Sequence, residues 1–207
     1  MLSHRYAGAY FIFCIISHVA VMNQSYAKDN ILQLQDGLNG YNATQDSYVA
    51  SGKPGENFGN KASLLADGID GDNDELVTLI KWELHDLPEN LEITAATLKL
   101  HIHNRSFGEY KVYAVMQPWL EPAVTWYDLN FSENQQIEIA TFHPRTKGPY
   151  EISLNGAGIS LVQAWVNGDV TNHGLMIRAA DTRDGVDFRS SEYSHIDKRP
   201  MLEITYQ

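Results

Sequence analysis

Apolar residues alternate with polar ones along four stretches of this chain. They are Leu76-Val-Thr-Leu-Ile-Lys-Trp-Glu-Leu84, Ala96-Thr-Leu-Lys-Leu-His-Ile-His103, Tyr110-Lys-Val-Tyr-Ala-Val-Met116 and Leu202-Glu-Ile-Thr-Tyr206. A period of two is the spacing of strands with one face buried and the other wet. Turn residues separate the runs: Gly52-Lys-Pro-Gly55, residues 68–73, Leu87-Pro-Glu-Asn90, Phe107-Gly108 and residues 181–185. Glycine and asparagine reach positive φ there, and proline presets the turn. One segment departs from this period. Ile159, Val162 and Val166 recur at helical spacing, and Gly168 stands where a helix would stop. Many short strands with one short helix predict an all-β chain. We expect a jelly-roll-like antiparallel β-sandwich, with the helix plugging one end.

The N-terminus follows a different pattern. His4 and Arg5 precede an apolar run from Ala9 to Met22, and Ser25-Tyr26-Ala27 places small residues at the two positions that a signal peptidase reads. Residues 1–27 therefore read as a secretory signal, 28–40 as a polar lead-in and 41–207 as the sandwich domain. The apolar run is short for a membrane span, and no later segment is apolar enough to be one. The expected product is a secreted protein, extracellular or periplasmic.

Cys14, the only cysteine, lies inside that signal, so the mature chain would have no disulfide, thiolate metal site or cysteine nucleophile. The full chain has 15 basic and 26 acidic residues, a net charge of −11. Loss of residues 1–27 removes Arg5 and no acid, leaving 14 against 26, or −12. That balance disfavours nucleic acid and anionic membranes as partners.

Against this acidity, the run from Thr97 to Arg105 stands out. Leu98, Leu100 and Ile102 fall on one strand face, and Lys99, His101, His103 and Arg105 on the other. Lys81, Lys111 and Tyr113 on neighbouring runs would extend this strip. Cations beside an aromatic ring suit an anionic polysaccharide, with Lys and Arg pairing uronate or sulfate and the ring stacking on a sugar. The competing reading is a wet outer face whose charges protect an edge. His101 and His103 also form a His-x-His pair, but no acidic residue accompanies them at a spacing suited to a metal site.

An acidic, glycine-rich loop offers other chemistry. Asp70, Asp72 and Asp74 alternate, and Glu75 follows. Such oxygen ligands suit a structural calcium ion, although the glutamate of a full twelve-residue calcium loop is missing. A plain acidic hairpin loop is the alternative. Asp181, Asp184 and Asp187 form a sparser version.

Of the four tryptophans, Trp82 alternates in phase with Ile80 and Leu84, and Trp165 lies with the apolar helix residues, so both belong to the core. Trp119, between Pro118 and Pro122, is expected on a loop, and Trp119 and Tyr127 are the candidate stacking rings. Catalysis finds little support. Ser190 and Ser191 lack the glycines of a nucleophile elbow, and no carboxylate pair can be placed across a cleft.

Several short strings recur in order: Asp46-Ser-Tyr-Val-Ala-Ser-Gly52, Asn57-Phe-Gly59, Val124-Thr-Trp-Tyr127, Leu161-Val-Gln-Ala-Trp-Val-Asn-Gly168, Asn172-His-Gly-Leu-Met-Ile-Arg178, Phe188-Arg-Ser-Ser-Glu192 and Arg199-Pro-Met-Leu-Glu-Ile-Thr-Tyr206. Together, from about Gly40 onward, they resemble the DNRLRE domain family, which is related to archaeal disaggregatases and grouped with carbohydrate-binding modules. The resemblance implies a non-catalytic binder of acidic polysaccharide, with alginate-like uronans the first ligands to try. Such modules are usually tethered to an enzyme, so a free binder or the partner of a separately made enzyme or surface protein is implied here. A structural or adhesive sandwich without a sugar site is the second reading. A polysaccharide lyase or glycanase using His101, His103, Arg105 and Tyr113 is the third.

Overall fold

The computed structural model describes residues 28–69, 74–84, 91–131, 137–180 and 184–207. Two antiparallel sheets face each other. The six-stranded sheet holds β1 (Asn30–Gln35), β3 (Ser63–Ala66), β5 (Ile93–Asn104), β8 (Gly148–Ser153), β10 (Val186–Arg189) and β11 (Met201–Tyr206). Its order is β1-β11-β5-β10-β3, and β8 pairs with the opposite edge of β5. The five-stranded sheet has the order β2-β4-β9-β6-β7. Its strands are β2 (Thr44–Ala50), β4 (Leu76–Trp82), β6 (Tyr110–Ala114), β7 (Glu138–Phe142) and β9 (Leu175–Ala179). The fold is the antiparallel β-sandwich that the period-two runs predict.

The main core lies between the sheets. Leu98, Leu100 and Ile102 of β5 point into it, as do Ile80 and Trp82 of β4 and Phe188 of β10. The helix α1 (Gly156–Asn167) packs on β5 of one sheet and β7 of the other. Its C-terminal end carries the expected glycine, and its N-terminal end a side-chain cap. Asn155 accepts a hydrogen bond from the Gly158 N–H at 3.0 Å, satisfying a donor the first turn leaves free. Gly168 closes the helix in the left-handed region at φ 75°. Leu161, Val162 and Trp165 are buried against the sheets.

Two departures from the sequence pattern matter for function. The segment read as a lead-in supplies β1, which pairs with β11 from Asn30–Tyr206 to Gln35–Met201. Only Leu34 and Gln35 of that strand are buried, so its apolar signal is faint. Secondly, β4 is buried on both faces. Thr78, Ile80 and Trp82 face the main core, whereas Val77 and Leu79 face a second cluster with Val49, Trp119, Val124 and Met176. Described residues of the segment between β6 and β7, Trp119, Val124 and Leu129 among them, fold back over this part of the outer face of the five-stranded sheet and cover it. The expectation of a wet outer face on this strand is corrected by that cover.

Candidate functional site

The outer face of β5 carries the strip. Along the strand, Leu98, Leu100 and Ile102 are buried while Lys99, His101 and His103 are partly exposed, as alternation requires. Neighbouring strands set the charge around each of them. Lys99 Nζ lies 2.9 Å from Glu203 Oε2 on β11 and 3.3 Å from Glu151 Oε1 on β8. These carboxylates raise the Lys99 pKa, Glu203 most strongly. At its end of the strip the cation is therefore already balanced.

Towards the other end the surroundings are more basic. His103 Nε2 and Ser63 Oγ share a hydrogen bond of 3.1 Å, and Asp187 Oδ2 lies 3.8 Å from the same nitrogen. Burial holds the pKa of His103 below its ordinary value, and Arg189 and Lys147 add to the effect against Asp187. Burial also lowers His101, helped by Lys198 and Arg189 and opposed by Asp197. Arg189 itself lies with Cζ 4.2 Å from the centre of the Tyr193 ring. It makes no ion pair among the described residues, and its Nε is shielded from solvent without a partner. Arg105 lies just past the end of β5, over the exposed ring of Phe107 at 5.2 Å. With Asn104, Thr146, Lys147 and Asp184 these two line an open groove.

The strip does not extend across strands as expected. Lys81, Lys111 and Tyr113 belong to β4 and β6 of the five-stranded sheet, on the opposite outer face of the sandwich. Lys81 is only 8% exposed, beneath the β6–β7 segment. Its amine sits 5.5 Å from the centre of the Trp119 ring and 3.7 Å from Glu83. Lys111 pairs with Glu138 at 2.8 Å. Tyr113 packs at the margin of the second cluster. These three residues read as part of one patch because period-two spacing assigns a face within a strand, never which sheet the strand joins.

The two candidate stacking rings separate as well. Trp119 is on a loop, but it is buried in the second cluster and donates its indole N–H to the His173 carbonyl at 2.7 Å. Its ring is not available for stacking. Tyr127 is 77% exposed, at the centre of a 3-10 turn (Trp126–Asp128). Asp128 fixes that turn by accepting the Thr125 N–H at 2.8 Å. Among the acidic candidates, Asp70 and Asp72 lie outside the described residues, as does Asp181. Asp74 accepts hydrogen bonds from the Gly52 N–H at 2.6 Å and the Ser51 hydroxyl at 3.3 Å. Glu75 is buried in a bidentate pair with Arg178. Asp184 accepts the Phe107 N–H at 2.9 Å, and Asp187 turns to His103, so these two do not act together. No described third ligand joins His101 and His103 closely enough to complete a metal site.

The sequence model of carbohydrate-binding module family 96 matches residues 37–206. The chain belongs to that family. The match covers every strand of both sheets except β1, so the sandwich from β2 to β11 is one carbohydrate-binding module. No curated protein gives a significant match. Arg189, Tyr193, Lys147 and Lys198 are the residues at the face of this family 96 module that sequence reading missed. They come from β10 and from loops far from β5 in sequence, and no local spacing links them to it.

Proposed function

We propose that this module binds an anionic, uronate-bearing polysaccharide on the outer face of its six-stranded sheet, around the end of β5. The observation that carries the proposal is Arg189. It is held over Tyr193 by stacking and makes no ion pair among the described residues, with Asp187 the acid that feels its charge, while His101 and His103 stand beside it. A guanidinium positioned by an aromatic ring is ready to take a sugar carboxylate through paired hydrogen bonds. Lys147 and Lys198 add positive charge, and the exposed Phe107 ring offers an apolar surface for a sugar face. Lys99, balanced by Glu203 and Glu151, contributes little. The strings that resemble DNRLRE domains run through the same stretch and support the same ligand class.

Affinity electrophoresis in gels containing a polyuronate or a neutral glucan tests this. The polyuronate should retard the protein, and the retardation should fall with added salt, because exposed charges are screened over about 8–10 Å near physiological ionic strength. Arg189→Ala should weaken binding by about tenfold, the equivalent of 1.4 kcal/mol, with Lys99→Ala close to the parent. Retardation by the neutral glucan alone would move the site to Tyr127 on the opposite side.

We further propose export by cleavage after Ala27, on the apolar run ending at Met22 and the small residues at 25 and 27. N-terminal sequencing of exported protein should begin at Lys28. A mature chain that retains Cys14 would refute this.

A further inference from the structure

Three carboxylates from distant parts of the chain meet at the rim of the sandwich. Asp46 lies on β2, Glu121 in the segment that covers the five-stranded sheet, and Glu192 just past β10. One carboxylate oxygen from each lies within 4.8 Å of the other two. Asp46 is 1% exposed, Glu121 is half-buried and Glu192 is exposed, so the cluster opens to solvent on the Glu192 side. The backbone around it is firmly held. Asn57 donates from Nδ2 to the carbonyls of Glu121 and Val124, both at 2.8 Å. A Cβ at position 59 would lie 2.3 Å from the Glu121 carbonyl oxygen, so only glycine permits this approach. Ser190 Oγ donates to the Lys61 carbonyl at 2.6 Å, and Ser191 Oγ donates to Glu192 at 2.9 Å.

The decisive feature is the state of Asp46. Its Oδ2 accepts the Ser191 N–H at 2.8 Å. Its Oδ1 is shielded from solvent and has no hydrogen-bond partner among the described residues. A buried carboxylate oxygen left in this way is costly unless a cation or a proton sits against it. Among the described residues, no cation is a leading influence on Asp46 or Glu121. Burial, then Glu192, pushes the Asp46 pKa well above its usual range, and burial and Glu192 push Glu121 up to about 8.

We infer that Asp46, Glu121 and Glu192 form a calcium site that ties β2, the β6–β7 segment and the segment after β10 together. The ligand set is all oxygen, without nitrogen or sulfur, which selects a hard cation. Calcium accepts irregular shells of six to eight oxygens, and the open Glu192 side leaves room for water to complete one; magnesium demands a stricter octahedron. This site uses none of residues 70–75, and the inference does not rest on the glycan proposal.

The full chain, stripped with chelator, is titrated with calcium chloride by calorimetry, and its Tm is read with chelator, calcium or magnesium. One calcium per chain should bind. At about a hundred times Kd, calcium should raise Tm by about 5–10 °C, with magnesium having a smaller effect. Glu192→Gln, at the exposed ligand, should weaken calcium by at least about tenfold, since affinity follows the count of charged ligands. Without calcium this variant should melt at or above the parent, because one repelling charge is gone. Asp72→Asn should bind calcium like the parent. The inference is overturned if calcium gives neither heat nor a Tm shift, which would mean that protons alone satisfy the cluster. It is also overturned if both Glu192→Gln and Glu121→Gln keep the parental affinity, or if Asp72→Asn alone abolishes binding.

Discussion

Gly174 and Gly148 both hold positive φ, at 81° and 109°, but their surroundings differ. A Cβ at Gly174 would meet the Ile80 carbonyl oxygen at 2.3 Å and the Lys81 Cα at 2.9 Å, both backbone atoms that cannot swing away. At Gly148 nothing lies within 4 Å. Gly174→Ala should therefore cost about 2–4 kcal/mol, combining backbone strain with displacement of β4. Gly148→Ala should cost only the conformational term, about 1–2 kcal/mol. Urea unfolding of the two variants checks this, and equal losses would contradict it. The same scale explains the fate of the candidate ligands. Residue type and alternation identified Lys99, His101 and His103 as one outward row. Whether each charge is open or balanced depended on Glu203, Glu151 and Asp187, which lie on other strands.

Among the elements, α1 was the most legible, because its core-facing spacing and its Gly168 stop are both local; its Asn155 cap came to light only in the structure. The segment between β6 and β7 was the least legible. Its buried residues Trp119 and Val124 have no periodicity, and they become core only by lying on Val77, Leu79 and Met176 of the sheet beneath. That cover is the reason Lys81 sits under a ring instead of in water. Trp119→Ala should remove about 3–5 kcal/mol of stability, by cavity formation and by loss of the hydrogen bond to His173. It should also expose the second cluster, seen as new binding of a hydrophobic dye below the unfolding transition. A loss under 1 kcal/mol, about the range for surface changes, would mean that the segment is not a structural cover.

At the scale of the whole molecule, pH acts through groups that burial has shifted. His101, His103 and His173 all have pKa values below the ordinary one, with burial the first cause in each. The unfolded chain therefore takes up these protons first as pH falls through about 6.5, and the native state loses stability below that point. Above it all three imidazoles are neutral in both states and contribute no further slope. Replacing His103 and His173 by Gln should make the urea midpoint fall less between about pH 7 and 5 than it does in the parent. An unchanged slope would mean that the folded imidazoles titrate like free ones. On the ligand side, a bound uronate should favour charged His101 and His103, so binding should strengthen as pH drops below that same range.

The sequence alone determined the sandwich class, the helix with its glycine stop, the face on which each residue of β5 lies and the kinship with carbohydrate-binding modules. All of these follow from local periodicity, turn chemistry and strings read in order. Tertiary structure decided which strands became neighbours. It placed Lys81, Lys111 and Tyr113 on the far sheet, turned Trp119 inward, paired Lys99 with acids and brought Arg189 over Tyr193 beside the histidines. It also brought Asp46, Glu121 and Glu192 within reach of one another across 146 residues of chain, from 46 to 192. The physical reason is the same in each case. A strand's period sets only the direction of its side chains, whereas charge balance, burial and metal geometry depend on partners that long-range pairing supplies.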